Sequence, residues 1–193
     1  VMATVVRNRE VILLGSVSTE RFFNSGGADY PFSRDNAAIS EVGIVAPWSV
    51  GRIDNSFMWI GRDKNGSGMV LREVDRMPRR ISTTPVEEAL RSSIDLAEAT
   101  AYTYQVGGGS AFYCINAPGL ESTWCYEIAS GGWFEACDLD GLGQFEPLRL
   151  THAMHAFGES WGFDAMGRCY RITRDAHTFA GDVIKCSRIS PND

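Results

Sequence analysis

The sequence lacks any apolar run near the roughly 18 residues that a membrane helix needs. Its first ten residues, VMATVVRNRE, lack the apolar segment of a signal peptide. It also begins with Val1 rather than Met, so we expect a piece of a longer protein. Prolines are few, at 7 of 193 residues, whereas glycines number 20 and aromatic residues make up 11% of the chain. Abundant Gly and aromatic residues are typical of short strands joined by tight turns.

The cysteines form no C-x-x-C pair, and their number, five, is odd. Both facts argue against a disulfide framework and against a structural zinc site. We therefore expect reduced thiols packed as small apolar residues. The five are Cys114, Cys125, Cys137, Cys169 and Cys186.

The chain is acidic, with a formal net charge of -6. Nucleic-acid affinity comes mainly from Lys and Arg side chains that neutralise phosphates, so an acidic chain is a poor general phosphate binder. DNA in passing contact remains compatible with this charge.

A repeat of roughly 50 residues is the main structural pattern in the sequence. Aromatic, apolar strand pairs begin at residues 11, 57, 112 and 161, and each pair has room for one strand before it and one after it. Four short antiparallel strands in roughly 50 residues are typical of one β-propeller blade. The predicted fold is all-β, with β-propeller-like repeats of four-stranded antiparallel blades; a β-sandwich is the competing fold, but it lacks a repeat of this length. The expected blade-like units are 1–40, 41–95, 96–145 and 146–193.

Two units can be divided into strands, because turn residues separate their apolar runs. We expect the segment 26–39, which fits no strand template, to be a loop between blades. The predicted strands of the second unit are 50–53, 57–61, 69–73 and 80–82, and those of the third are 101–105, 110–115, 123–128 and 133–137.

One short helix is predicted near 84–90, since helical patterning is almost absent elsewhere. Thr84 suits the N-cap, Pro85 suits the first helical position, and Glu87 would complete a capping box.

The segment from Asp63 to Gly68, DKNGSG, has some features of a calcium loop. An EF-hand needs a Glu at loop position 12, and Val74 stands there. A hairpin turn is the better interpretation, because Asn-Gly is the favoured pair for a two-residue turn. The predicted turn residues are Asp63, Asn65, Gly66 and Gly68.

Other candidate sites are weaker. His152 and His155 are three positions apart, so on a strand they point to opposite faces, and no metal site is expected. The carboxylates Asp138 and Asp140, with Glu135 and Glu146 nearby, could serve a glycosidase but also suit a solvated loop. The chain has no phosphate loop and no G-x-S-x-G motif, so we predict no catalytic residue and no cofactor.

A small basic run lies within the second unit, just before the predicted helix. Opposite charges interrupt it, which weakens it as a nucleic-acid patch and favours a solvated blade edge or a subunit contact. The predicted interface residues are Arg72, Arg76, Arg79 and Arg80.

The run FMWIGRDKNGSGMVLREVDRMPRRISTTPVEEAL, from Phe57, resembles the packaged-DNA-stabilisation proteins of short-tailed phages, also called tail accessory or tail hub proteins. So does FYCINAPGLESTWCYEIASGGWFEA, from Phe112. The shared pieces are an aromatic-Ile-Gly-Arg-Asp strand end, an Asn-Gly turn, Pro-x-Arg-Ile-Ser-Thr and a short Val-Glu-x-Ala-Leu helix. The resemblance covers roughly residues 5–185.

This resemblance implies a structural, non-enzymatic protein that closes the DNA-filled head and forms part of the DNA ejection conduit. It also implies assembly in the host bacterial cytoplasm, a place in the virion tail beside portal-proximal proteins, and a homo-oligomeric ring, hexameric in the best-known relatives. Because the chain is short for the family, the first unit is expected to lack its inner strand and the last its closing strand.

Two other functions compete. A carbohydrate-binding or glycan-cleaving propeller, directed at the host, would need Trp124, Trp133, Trp161 and Glu135 to converge at one mouth of the propeller. A cellular protein-interaction propeller would need no phage context.

Overall fold

A computed structural model describes residues 1–62, 66, 68–107 and 109–184. Over these residues the chain is mostly β-structure, and four antiparallel sheets follow one another along the sequence as the blades of a β-propeller. One α-helix lies among them, as predicted. No helix in this part of the chain is long and apolar enough to cross a membrane.

Blade 1 has four strands, paired in chain order. They are β1 (Ala3–Arg7), β2 (Glu10–Leu14), β3 (Thr19–Asn24) and β4 (Phe32–Arg34). The expectation that the inner strand is missing was wrong, because β1 pairs with β2 from end to end. The loop predicted at 26–39 was wrong in part, since it contains β4 and a 3-10 helix, Asn36–Ala38. Pairing with β3 holds β4 in place although its own sequence has no alternation.

Blade 2 has a split inner edge. Its strands are β5 (Gly43–Ile44), β6 (Gly51–Ile53), β7 (Ser56–Arg62), β8 (Gly68–Val74) and β9 (Met77–Arg80). Both β5 and β6 pair with β7, and the 3-10 helix Pro47–Ser49 separates them. The last strand was predicted at 80–82 but ends at Arg80, because Asp75 and Arg76 both adopt positive φ and turn the chain earlier.

The helix α1 (Thr84–Ser92) forms where it was predicted, but its start differs. Thr83, not Thr84, is the N-cap, and its side chain makes no capping hydrogen bond. Glu87 does not complete a capping box either, because its carboxylate accepts hydrogen bonds from Ser82 and Arg80. Pro85 lies in the first turn, where its missing N–H costs nothing.

Blade 3 follows the helix and is the longest sheet. Its strands, in order, are β10 (Thr100–Val106), β11 (Ser110–Asn116), β12 (Thr123–Glu127), β13 (Gly132–Leu139) and β14 (Phe145–Pro147). Blade 4 has β15 (Leu150–Ala156), β16 (Glu159–Asp164) and β17 (Cys169–Ile172), and a separate hairpin follows with β18 (Thr178–Phe179) and β19 (Asp182–Val183). Blade 4 therefore has three strands within the described residues.

The core consists of three layers, each between two neighbouring blades. Ile12, Phe57 and Trp59 are fully buried between blades 1 and 2. Ile60, Leu90 and Tyr113 lie between blade 2, the helix and blade 3. A smaller layer, formed by Tyr102, Cys114, Cys125 and Leu150, joins blade 3 to blade 4.

Candidate functional site

Two-residue turns close the first hairpin of three blades. Asn8-Arg9, Asp54-Asn55 and Phe157-Gly158 all have positive φ at both residues, which is the backbone of the type I′ hairpin turn. In blade 3 the corresponding connection runs from Gly107 to Gly109. We call these four connections the inner turns.

Contacts between blades place the inner turns on the same side of the propeller. In blade 4, the Ser160 hydroxyl beside one turn donates to the Gln105 carbonyl, near the end of β10, at 2.6 Å. In blade 2, the Arg52 carbonyl accepts from the Thr103 hydroxyl at 3.0 Å. A cleft of about 350 Å³ is lined by residues from blades 1, 2 and 3, among them Arg7, Asp54 and Gln105. We call this side of the propeller the turn face.

Phe157 is the most unusual residue of the turn face. It is 98% exposed, and its φ is +56°. A bulky residue rarely adopts positive φ, and Asn, Asp and Gly are the usual occupants of such a turn. Neither burial nor backbone preference accounts for a phenylalanine at this position.

The predicted basic interface extends from the turn face to the helix. Arg72 pairs with Asp54 of an inner turn at 2.5 Å, and Arg76 pairs with Glu10 at 2.5 Å and Asp35 at 2.6 Å. Arg80 pairs with Glu87 of α1. Arg79 is 66% exposed, and its ion pair with Asp75 is long, at 3.8 Å. Of the four guanidinium groups, Arg79 is therefore the most available to a partner.

A buried ion-pair network joins blades 1 and 2 beneath this face. Arg21 Nη2 lies 2.9 Å from Glu73 Oε1, and these side chains are only 3% and 2% exposed. Arg21 also pairs with Glu10, and Arg7 pairs with Glu73. Such buried charges are tolerated only when each is paired and hydrogen-bonded, so the network ties β3 and β8 together at a defined geometry.

At the edge of this network, hydrogen bonds favour the charged forms of Asp35 and Arg76. The hydrogen bond from Arg76 and that from the Ala37 backbone N–H lower the pKa of Asp35 below its usual value. The same hydrogen bond raises the pKa of Arg76. Four of these ion pairs join residues 41 to 66 positions apart in sequence, so no local signal reveals the network.

The acidic cluster near residue 138 serves local structure. Asp138 pairs with Arg149, and although partial burial opposes ionisation, the hydrogen bond from Arg149 lowers its pKa. Asp140 accepts the backbone N–H groups of Leu142 and Gln144 and thus closes a turn. Glu135 accepts from the Ser122 hydroxyl at 2.5 Å. The solvated-loop prediction holds only for Asp140, because Glu135 and Asp138 lie on β13, Glu146 lies on β14, and Asp138 is buried.

No group of His, Cys, Asp and Glu side chains in the described ranges could hold a metal ion. His152 and His155 lie on β15 and are both exposed. Of the residues predicted for the β7–β8 turn, Gly66 has φ +85° and Gly68 begins β8. Asp63 and Asn65 lie outside the described residues.

The cysteines fall into two groups. Cys114 and Cys125 are buried as expected, but Cys137 and Cys169 are exposed, so the expectation of packed thiols was wrong for them. Both line a cavity of about 850 Å³ between β13, β17 and the last hairpin, which opens them to solvent. Cys186 lies outside the described part of the chain.

Two of the three tryptophans proposed for glycan binding pack against the core. Trp124 and Trp133 pack, partly buried, against the core between blades 2 and 3. Trp133 also donates its indole N–H to the Ile81 carbonyl at 2.8 Å, as a residue packed between blades would. Trp161 lies on β16 of blade 4.

The comparison with known protein families agrees with this β-propeller architecture. Residues 1–136 match the family model described as "Bacteriophage P22 Gp10, beta-propeller". The matched region spans blades 1 and 2, the helix and most of blade 3. No curated protein matches the chain.

Proposed function

We propose that this chain, which belongs to the bacteriophage P22 Gp10 β-propeller family, closes the DNA-filled head of a short-tailed phage and forms part of the DNA ejection conduit. The single observation that carries the proposal is the family match over residues 1–136. The family stabilises packaged DNA, which gives the chain a structural role in the phage particle. The finer assignment to head closure and the conduit is ours.

We further propose that the turn face is where the propeller meets its neighbours in the virion tail. Phe157 offers an exposed aromatic ring, and Arg79 offers a charge that is poorly paired within the chain. Aromatic and Arg side chains are enriched where proteins bind one another. Neighbours on this face would be portal-proximal tail proteins or further copies of the chain in a ring.

The negative net charge of the chain favours a surface along which DNA passes over a surface that binds DNA tightly. With a net charge of -6, the chain offers few unpaired cations to phosphates. A conduit wall of this kind would let DNA slide. The glycan-binding alternative gains no support, because two of its tryptophans are packed against the core.

The experiment is complementation of a phage that lacks the full-length gene. The gene is supplied in trans as wild type or as Phe157→Asn, and the copies of its product per purified DNA-filled head are counted by quantitative mass spectrometry. The wild type should be incorporated, and Phe157→Asn should be incorporated at least tenfold less. Its thermal stability should not fall, because Asn accepts positive φ better than Phe.

The matched control is Leu142→Asn, which replaces another exposed apolar turn residue, on blade 3. It should be incorporated like the wild type. Equal incorporation of Phe157→Asn and wild type would contradict the turn-face proposal alone. Absence of the wild-type protein from DNA-filled heads would contradict the proposed function itself.

A further inference from the structure

Two buried cysteines face each other across neighbouring strands of blade 3. Cys114 of β11 is the direct partner of Cys125 of β12 in the antiparallel register. Their Sγ atoms lie 2.9 Å apart, and both residues are 0% exposed. Both are free thiols in this structure.

The backbone already has the spacing that a disulfide needs. Directly opposed residues in an antiparallel pair have Cα atoms about 4.5 or 5.5 Å apart, and disulfides span Cα distances of about 4.4–6.8 Å. A disulfide bond is about 2.05 Å long, so the two sulfurs have to approach by only about 0.9 Å. Rotation about the Cα–Cβ bonds supplies such a movement without a shift of either strand.

We infer that Cys114 and Cys125 are a covalent modification site, which a small-molecule disulfide oxidises to a cross-strand cystine that locks β11 to β12. One thiol gives up its proton, attacks the reagent and forms a mixed disulfide, and the first reduced thiol leaves. The second protein thiol then loses its proton and attacks the protein sulfur of the mixed disulfide. This attack displaces the second reduced thiol of the reagent. The two protein thiols lose two electrons and two protons in total, and the reagent gains both.

The surroundings govern when this happens. Burial raises the pKa of the Cys114 thiol, and Tyr102 and Leu150 pack around the pair. The reactive thiolate therefore forms only when blade 3 opens transiently from blade 4. In a reducing compartment the pair stays as thiols, and in an oxidising one the cross-link accumulates slowly. The inference does not rest on the proposed function.

The test uses the full chain with Cys137→Ser, Cys169→Ser and Cys186→Ser, so that only the pair remains. The folded protein is incubated with oxidised glutathione in non-denaturing urea, then unfolded, treated with N-ethylmaleimide and weighed by mass spectrometry. We expect maleimide uptake to fall from two groups to none, with a mass lower by two hydrogen atoms. A reductant should restore both thiols. The melting temperature should rise by about 5–10 °C.

Two controls make the result specific. Adding Cys125→Ser leaves a single buried thiol, which should take up one maleimide or one glutathione and form no internal cross-link. A chain that retains only Cys137 and Cys169 should bind glutathione at both without a gain in melting temperature. The inference is overturned if the folded pair keeps both thiols under these conditions, or if oxidation lowers the melting temperature.

Discussion

Glu73 is the carboxylate on which the contact between blades 1 and 2 depends most. It accepts from Arg21 and Arg7, and its side chain is almost fully buried. Glu73→Gln would leave the buried Arg21 guanidinium with Glu10 as its remaining counter-charge and would remove the charge that Arg7 faces. Breaking one partner of a buried ion pair costs about 3–5 kcal/mol of unfolding free energy.

Urea unfolding at neutral pH measures this loss. Arg79→Gln is the matched control, because it removes an exposed charge from the same blade and should change stability by less than about 0.5 kcal/mol. Equal stability of Glu73→Gln and the wild type would show that the network is not what joins the blades.

Asp164 makes the stability of blade 4 depend on pH. Its carboxylate accepts the backbone N–H groups of Met166 and Arg168, the Arg168 side chain and the Tyr170 hydroxyl. Desolvation opposes ionisation, but these hydrogen bonds lower its pKa from 3.8 to about 2. Because the folded-state pKa is lowered, the contribution of the ionised Asp164 carboxylate to the free energy of unfolding is complete above about pH 4. It is lost as the pH falls towards 2.

The comparison is between the wild type and Asp164→Asn in urea unfolding at several pH values. We expect Asp164→Asn to be less stable at pH 7, and the difference to shrink between pH 4 and pH 2. A difference that stays constant over that interval would contradict the role assigned to the ionised carboxylate.

At the scale of the element, the short strand β5 depends on a close approach of two backbones. Ile44 donates its N–H to the Gly15 carbonyl at 2.8 Å. A Cβ on Gly43 would lie 2.3 Å from the carbonyl carbon of Ser16 and 2.4 Å from the Gly15 oxygen. These are backbone atoms, so neither can move aside as a flexible side chain would.

Gly43→Ala should therefore separate β5 from blade 1 and destabilise the protein by about 1–3 kcal/mol. Gly141→Ala is the control, because a Cβ there would meet no atom within 4 Å. Thermal unfolding of both variants decides the point. Equal melting temperatures of Gly43→Ala and Gly141→Ala would show that the close approach of β5 to blade 1 is not required for stability.

Four of the five strands of blade 3 were predictable from the sequence to within about two residues, because Gly-rich turns separate apolar runs there; β14 was not predicted. The strand β4 was not, since its three residues gain their strand conformation only by pairing with β3. The N-cap of α1 was misplaced because Glu87, a good capping-box residue, is used by Arg80 instead.

The candidate site was less predictable than the fold. The sequence singled out Arg72, Arg76, Arg79 and Arg80, but their partners in blade 1 and the inner turns become known only in three dimensions. Phe157 carried one signal, an aromatic residue directly before Gly158 between two alternating runs. That pattern predicts a turn with an unusual occupant, and it was missed. The cross-strand pair of Cys114 and Cys125 required the register of β11 and β12.

For the whole molecule, family membership and the propeller architecture give one consistent account. Each described blade packs on the next in chain order, and the turn face exposes the ring of Phe157. A protein of this kind acts through its interfaces, which suits the structural role of the family in the phage particle.

The most direct test of that account is the amount of DNA retained in heads purified from a phage that lacks the full-length gene. We expect heads that package a normal length of DNA and then lose it, and we expect the gene supplied in trans to restore retention. Heads that keep their DNA and remain infectious without the gene would contradict it.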